Sequence, residues 1–273
     1  MIVINKVKDV LLILLVAMTF FGVNALRAQP SVDPLQPTVM ITGSNRGIGF
    51  ELVKVFHANN WNVVATARSP NTSEELNNFA LSNNYIVIEQ LDVTSQSDID
   101  QLSEKYMNVP IDILINNAGI YGSREGQIWG QMDPELFDDV MHVNVLAPLK
   151  ITEAFIDSLL LGDHKKVVSI TSGAGSVSIP QVSNGGIYYS ISKTALNMAM
   201  RKMAAEPGNQ GITFALVAPG LTDTAMLRVA RPGLLGRAHS PAVSASGIFE
   251  VILNVGADYN GLPLNYDGSV IAW

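Results

Sequence analysis

Tyr189 and Lys193 stand four residues apart in a stretch whose pattern predicts a helix over Ile187–Ala205, so their side chains share one face. An ammonium beside a phenol favours the phenolate and lowers its pKa from about 10, giving an acid–base group able to work near neutrality. Tyr188 has no lysine at that interval. Upstream, an apolar run ends in Thr171-Ser172-Gly173-Ala174-Gly175-Ser176, which puts a hydroxyl after a strand. Near the start lies Thr42-Gly43-Ser44-Asn45-Arg46-Gly47-Ile48-Gly49. There Gly43 permits a sharp turn, Gly47 lets a diphosphate approach the backbone, and Gly49 lets the following helix pack close to its strand. The helix's unpaired N–H groups and dipole favour phosphate. Together, a dinucleotide loop, a strand-end hydroxyl and a tyrosine–lysine pair describe carbonyl reduction.

The same reading extends to the cofactor. The second strand ends in Ala65-Thr66-Ala67-Arg68. A free ribose 2′-hydroxyl is usually met here by an acid, and a 2′-phosphate by a cation. No acid is present, while Arg68 and Arg46 could clamp one phosphate, so NADP(H) is expected over NAD(H). Asp92-Val93 follows the third strand, placed for an adenine edge, and Asn116-Asn117-Ala118-Gly119 follows the fourth, where the ribose should pass. No Gly-Lys-Ser/Thr follows the glycine loop, which argues against a P-loop nucleotidase.

These residues need elements to hold them. Strands are expected at Thr38–Thr42, Trp61–Ala67, Tyr85–Leu91, Ile111–Ile115, Lys166–Ile170 and Ile212–Val217, with a last one near Ser269–Ile271. Helices are expected at Gly47–Asn59, Glu74–Leu81 and Ser95–Tyr106, the last capped by Thr94 or Ser95. Another starts at Asp133-Pro134 and runs towards Leu161, bent or interrupted at Pro148. Short apolar strands alternating with helices imply a single α/β, doubly wound Rossmann-type domain, a parallel sheet with helices on both faces. Ligands of such folds bind at the carboxyl ends of the strands. Beyond Pro219 the pattern weakens. The segment 221–240 reads as an irregular, mobile substrate loop with Pro232-Gly233 and Gly236 as hinge points, beside the enlarged Gly173–Gly186 loop.

Composition removes other classes. The 273 residues are 48% hydrophobic and 15% charged, which suits a packed core. Net charge is −7 with no basic cluster, so no nucleic-acid partner is expected. Without cysteine there is no disulfide framework or thiolate metal site. His57, His142, His164 and His239 lack ligand spacing, and no metal is expected. Met198, Met200 and Met203 read as packing residues and Asp138-Asp139 as a solvated pair.

Residues 1–28 differ in kind. Lys6 and Lys8 precede an apolar run from Val10 to Val23, with small residues around Ala25 and Ala28. That is the order of a signal peptide, or a signal-anchor if Val10–Leu26 is counted, membrane contact then being confined to residues 10–26. Residues 29–37, with three prolines, read as a linker to a domain over 38–273. The expected location is exported or membrane-anchored (periplasmic side if bacterial), with cytoplasmic as the alternative.

As a set, Thr42-Gly-x-x-x-Gly-Ile-Gly49, Asn116-Asn-Ala-Gly119, Asn144, Ser172, Tyr189-x-x-x-Lys193 and Pro219-Gly220 resemble the short-chain dehydrogenase/reductase family, from about Thr38 to the carboxyl end. The Ser-Gly-Ala-Gly-Ser run and the ending Asn265-Tyr-Asp-Gly-Ser-Val-Ile-Ala-Trp273 resemble its C-signal and sniffer-type carbonyl reductase branch. The resemblance implies that Tyr189 exchanges a proton with the carbonyl oxygen and that Lys193 lowers its pKa and holds the nicotinamide ribose. It implies that Ser172 hydrogen-bonds the carbonyl oxygen, that Asn144 anchors a water leading to solvent, and that Thr224, after Pro219-Gly220, binds the nicotinamide amide. A small-molecule carbonyl or alcohol substrate and a homo-oligomer are implied too. Ser176 competes with Ser172 by spacing from Tyr189; Ser172 is preferred because it ends the strand. A dinucleotide-binding signalling or sensor protein with little turnover is the alternative function.

Overall fold

The computed structural model describes residues 32–180, 186–206, 211–256, 258–259 and 261–273. The leader expected over residues 1–28 lies outside them, as does part of the Gly173–Gly186 loop. Among the described residues no helix is long and apolar enough to cross a membrane.

The strands are β1 (Thr38–Ile41), β2 (Asn62–Ala67), β3 (Ile86–Gln90), β4 (Ile113–Asn116), β5 (Gln127–Ile128), β6 (Gln131–Met132), β7 (Lys166–Ile170), β8 (Thr213–Ala218) and β9 (Leu264–Asn265). Seven of them form one sheet in the order β3-β2-β1-β4-β7-β8-β9, every pair parallel. β5 and β6 make a separate antiparallel hairpin.

Successive strand side chains point to opposite faces, and here both faces are apolar. Val39, Ile41, Val63, Ala65, Ile113, Ile115, Val168 and Ile170 pack on α1 (Gly47–Ala58) and a long helix near the carboxyl end. Met40, Val64, Leu114, Val167 and Leu216 pack on the opposite layer with Ile99, Leu102, Ile151, Phe155, Leu196 and Met200. The other early helices are α2 (Glu74–Leu81) and α3 (Gln96–Tyr106). Ser95 caps α3, accepting the N–H of Asp98 on its hydroxyl. α4 (Pro134–Met141) begins where Asp133 accepts the N–H groups of Glu135 and Leu136.

Several elements differ from the sequence expectation. The helix from α4 is interrupted before Pro148, by a π-helical turn over His142–Leu146, and continues as α5 (Ala147–Ala154) and α6 (Ile156–Leu161). Pro148 cannot donate an N–H to the carbonyl four residues back, which belongs to Asn144, so the winding changes ahead of the proline. α7 is Ile187–Ala204. The segment 221–240 is not irregular: it holds α8 (Ala225–Ala230) and a 3₁₀ turn, Pro232–Arg237. α9 (Pro241–Asn254) was not anticipated, although Ser240-Pro241 is a good start signal and Ser240 does cap it. The last strand is Leu264–Asn265 instead of 269–271; Val270 folds back against Leu264 through the turn at Asp267-Gly268.

Candidate active site

β1 has β2 on one side and β4 on the other, so the strand order reverses beside it, and ligands of such sheets bind at the carboxyl ends of the strands at that point. The glycine loop lies there. A Cβ on Gly49 would sit 2.2 Å from the Gly43 carbonyl oxygen and 2.5 Å from Asn117 Nδ2, so only glycine fits. Gly43 has φ +68, and its Cα faces the Ala118 backbone. Asn117 Nδ2 donates to the carbonyls of Thr42 (2.8 Å) and Gly43 (3.0 Å), while Thr42 Oγ1 accepts the N–H groups of Asn117 and Ala118, both at 3.0 Å. Asn117 and Ala118 therefore brace the loop from below, a task that β4's end did not announce in sequence.

Ser44 is buried, its Oγ donating to the Ile41 carbonyl, whereas Asn45 and Arg46 are exposed. Arg46 flanks the start of α1 without capping it, and the first turn, with Gly47 and Ile48, carries no acid. These features fit a dinucleotide diphosphate: close backbone approach, open N–H groups and a favourable dipole. Arg68 is exposed at the end of β2. Burial acts to raise the pKa of nearby Asp92, but hydrogen bonds from Thr94 and the charges of Arg68 and His142 outweigh it and hold the carboxyl below its usual value. The Asp92 carboxylate accepts both the N–H and the hydroxyl of Thr94, so it shapes its own turn, with Val93 packed under it.

Tyr189 and Lys193 project from α7, with Lys193 Nζ 5.7 Å from the centre of the Tyr189 ring. Nζ donates to the Ile170 carbonyl at 2.8 Å, and the side chain is buried. Burial lowers the Lys193 pKa to about 8. The Tyr189 phenol is shifted upwards, chiefly by burial, with a hydrogen bond from Ser172 and the charge of Arg231 opposing. The expected lowering by Lys193 is thus not found in this arrangement. Loss of water drives both groups towards their neutral forms, and the amine lies under the ring, turned to a carbonyl.

Ser172 is partly exposed at the end of β7, beside Tyr189, and its Oγ also accepts the Ala174 N–H. Ser176 is buried and its hydroxyl donates to the Ala272 carbonyl, while Thr171 bonds Asn197. Of the two candidate serines the structure brings Ser172 to the tyrosine. Asn144 sits in the π-helical turn. Its Oδ1 accepts the Ile120 N–H (2.9 Å), and its Nδ2 donates to the Ile120 carbonyl (2.8 Å) and to Ser192 Oγ (3.0 Å). Both of its N–H donors are thus engaged, while Oδ1 keeps one acceptor lone pair. Gly119 lies against both Asn144 and Lys193.

At the end of β8, the Pro219 carbonyl accepts Ser244 Oγ (2.8 Å) and Thr222 Oγ1 (2.9 Å) and lies 3.0 Å from His239 Nε2. The His239 ring packs 4.5 Å from that of Tyr266, and both border Gly220. Thr224 caps α8, and its methyl comes within 3.8 Å of the position a Gly47 Cβ would take. His239 therefore supports the loop after β8, a role that its isolated position in sequence did not signal. Tyr121, Gln127 and Ser192 also reach Tyr189 and carry no local motif.

The family model described as short chain dehydrogenase matches residues 37–234. An uncharacterized oxidoreductase of Schizosaccharomyces pombe is 30% identical over 249 residues, covering 85% of this chain and 96% of its own length. The C-signal protein of Myxococcus xanthus is 33% identical over 168 residues, covering 60% of this chain and 93% of its own. The NADPH-bound carbonyl reductase from chicken fatty liver superimposes with a TM-score of 0.78 at 29% identity, covering 87% of this chain and 99% of the other.

Proposed function

The chain belongs to the short-chain dehydrogenase family and is an oxidoreductase that binds a nicotinamide dinucleotide; from that premise we propose that it uses NADP(H) to interconvert a small-molecule carbonyl and its alcohol. The observation that carries this reading is the convergence of Ser172, Tyr189 and Lys193 at the end of β7, beside the glycine loop. The cofactor, when bound, supplies or accepts the hydride.

The loop from Gly43 to Gly49 and the start of α1 hold the diphosphate, with Ser44, Asn45 and Ile48 lining the turn. Arg46 and Arg68 would supply the cations for a 2′-phosphate. Asp92, Val93, Asn117, Ala118 and Gly119 flank the adenosine and ribose side, and Pro219, Gly220 and Thr224 the nicotinamide side. The carbonyl oxygen accepts hydrogen bonds from Ser172 Oγ and the Tyr189 hydroxyl. As negative charge grows on that oxygen, Tyr189 passes it a proton, yielding the alcohol. The phenol's upward shift keeps it protonated at neutral pH, which suits a donor. The Lys193 ammonium then stabilises the phenolate, and a proton returns through solvent. The chicken relative, crystallised with NADPH, supports the cofactor choice.

Reduction needs the acid forms of both groups, so its kcat/KM should be level at neutral pH and fall as pH rises past about 8, where Lys193 loses its charge. A profile that stays level well into the alkaline range would contradict this role.

The function is tested by mixing purified protein with NADPH or NADH and a panel of aldehydes and ketones. NADPH-linked turnover is the expected outcome. Arg68→Asp should lower kcat/KM for NADPH roughly ten- to a hundredfold while sparing that for NADH. NADPH binding without consumption across the panel would favour a dinucleotide sensor, the reading that similarity to C-signal makes specific.

A further inference from the structure

Gln127 is completely buried, yet it takes no part in the steps above. Its Nε2 donates to the carbonyls of Tyr121 and Ser123, both at 2.8 Å. Its Oε1 accepts the backbone N–H of Tyr189 at 3.1 Å, from 62 residues away. α7 starts after Gly186, which has no side chain with which to cap it. Gln127 supplies that missing acceptor to the third helical residue, which is Tyr189 itself.

The other backbone group of Tyr189 is held as well. Its carbonyl accepts Ser192 Oγ at 2.8 Å, and Ser192 in turn accepts Asn144 Nδ2. Asn144 grips both backbone groups of Ile120. The segment from Ile120 to Gln127 is thus fastened to the N–H and the carbonyl of Tyr189 through two buried amides. Between those fastenings Tyr121 lays its ring 5.2 Å from the Tyr189 ring, centre to centre. The hairpin of β5 and β6 delivers Gln127 to this point.

We infer that Gln127 is a positioning residue for proton transfer by Tyr189, fixing the phenol by holding its backbone N–H and the carbonyl behind the ring packed against it. A reacting group displaced by about 1 Å can lose about a hundredfold in rate, so a clamp on this residue bears directly on kcat.

The inference rests on the proposed role of Tyr189. Two variants test it. Gln127→Met keeps the length and removes the hydrogen bonds; Gln127→Glu keeps the shape. A neutral glutamic acid at 127 still accepts from Tyr189 and donates to one carbonyl, whereas an ionised one has no donor and faces two carbonyl oxygens. Tyr121 and Tyr189 lie against Gln127, the charges of Arg124 and Arg231 act on those phenols, and Glu125 and Asp133 flank the same hairpin.

For Gln127→Met, kcat per native molecule should fall about ten- to a hundredfold at every pH, with NADPH affinity, read by fluorescence titration, within about threefold of wild type. For Gln127→Glu, the ratio of its kcat to that of wild type should be near one while the new carboxyl is protonated. That ratio should then fall at least about tenfold as the carboxyl ionises. In cofactor-free protein, the tyrosinate absorbance lost in Tyr189→Phe should titrate at higher pH in Gln127→Glu than in wild type. A residue that only stabilises the hairpin would lower the melting temperature and leave kcat per native molecule of Gln127→Met at the wild-type level; that result overturns the inference. If wild type turns over and both variants match it, Gln127 loses its role while the proposed function stands. If wild type shows no turnover, the proposed function falls and the inference, which rests on it, falls with it.

Discussion

Tyr189→Phe should lower kcat by about 10³-fold while leaving NADPH affinity within about threefold. The change removes one oxygen. The ring keeps its packing against Tyr121 and its place over the Lys193 amine, and α7 keeps its backbone bonds to Gln127 and Ser192. What disappears is the proposed proton donor and the partner of the Ser172 hydroxyl. Hydride arrival at a carbonyl carbon leaves an alkoxide, and without an acid in reach that charge is costly in a buried site. Steady-state kinetics beside a fluorescence titration of NADPH separates chemistry from binding. A variant that keeps a tenth of the wild-type kcat would show that another group donates the proton.

Gly49→Ala should weaken dinucleotide binding, raising the NADPH dissociation constant by about ten- to a hundredfold. The added carbon would lie 2.2 Å from the Gly43 carbonyl oxygen and 2.5 Å from Asn117 Nδ2. Neither can step aside cheaply. Gly43 is backbone in a tight turn, and the Asn117 amide is tied to two carbonyls. The strain must push the loop away from α1, the proposed site of the phosphates, at about 1–3 kcal/mol of overpacking cost. Gly233→Ala, where a new Cβ meets nothing within 4 Å, is the matched control and should bind like wild type. Tight NADPH binding by Gly49→Ala would mean that the loop is not the phosphate cradle.

Both of these candidates stand out in the sequence, because the proposed chemistry asks for a residue type at a short fixed spacing. The strands β1 to β8 of the main sheet are legible for a similar reason: burial on both faces forces continuous apolar runs. What escapes a linear reading is partnership across distance. Nothing around Gln127 or His239 announces that one caps α7 and the other props Pro219, since such bonds impose no local period. The direction of the Lys193 amine, towards the Ile170 carbonyl, depends on how β7 and α7 pack and not on the four-residue interval. Pro148 marks the interruption one turn late, because a missing N–H is felt by the carbonyl before it. α9 was hidden by its small residues, although Ala245, Ile248, Phe249 and Ile252 carry a helical stripe.

The sheet order also governs how each newborn chain is completed. β3-β2-β1-β4 is a contiguous half-sheet, and all of it has left the ribosome once Asn116 emerges. Its first helix is less fortunate. Phe56 of α1 meets Phe249 edge to face at 4.9 Å, so the flank of a segment translated early stays bare until Phe249 itself has been made. A nascent polypeptide cut short before Phe249 exposes that greasy flank to its neighbours, which makes premature termination in this protein a route to aggregation and not to a smaller working enzyme.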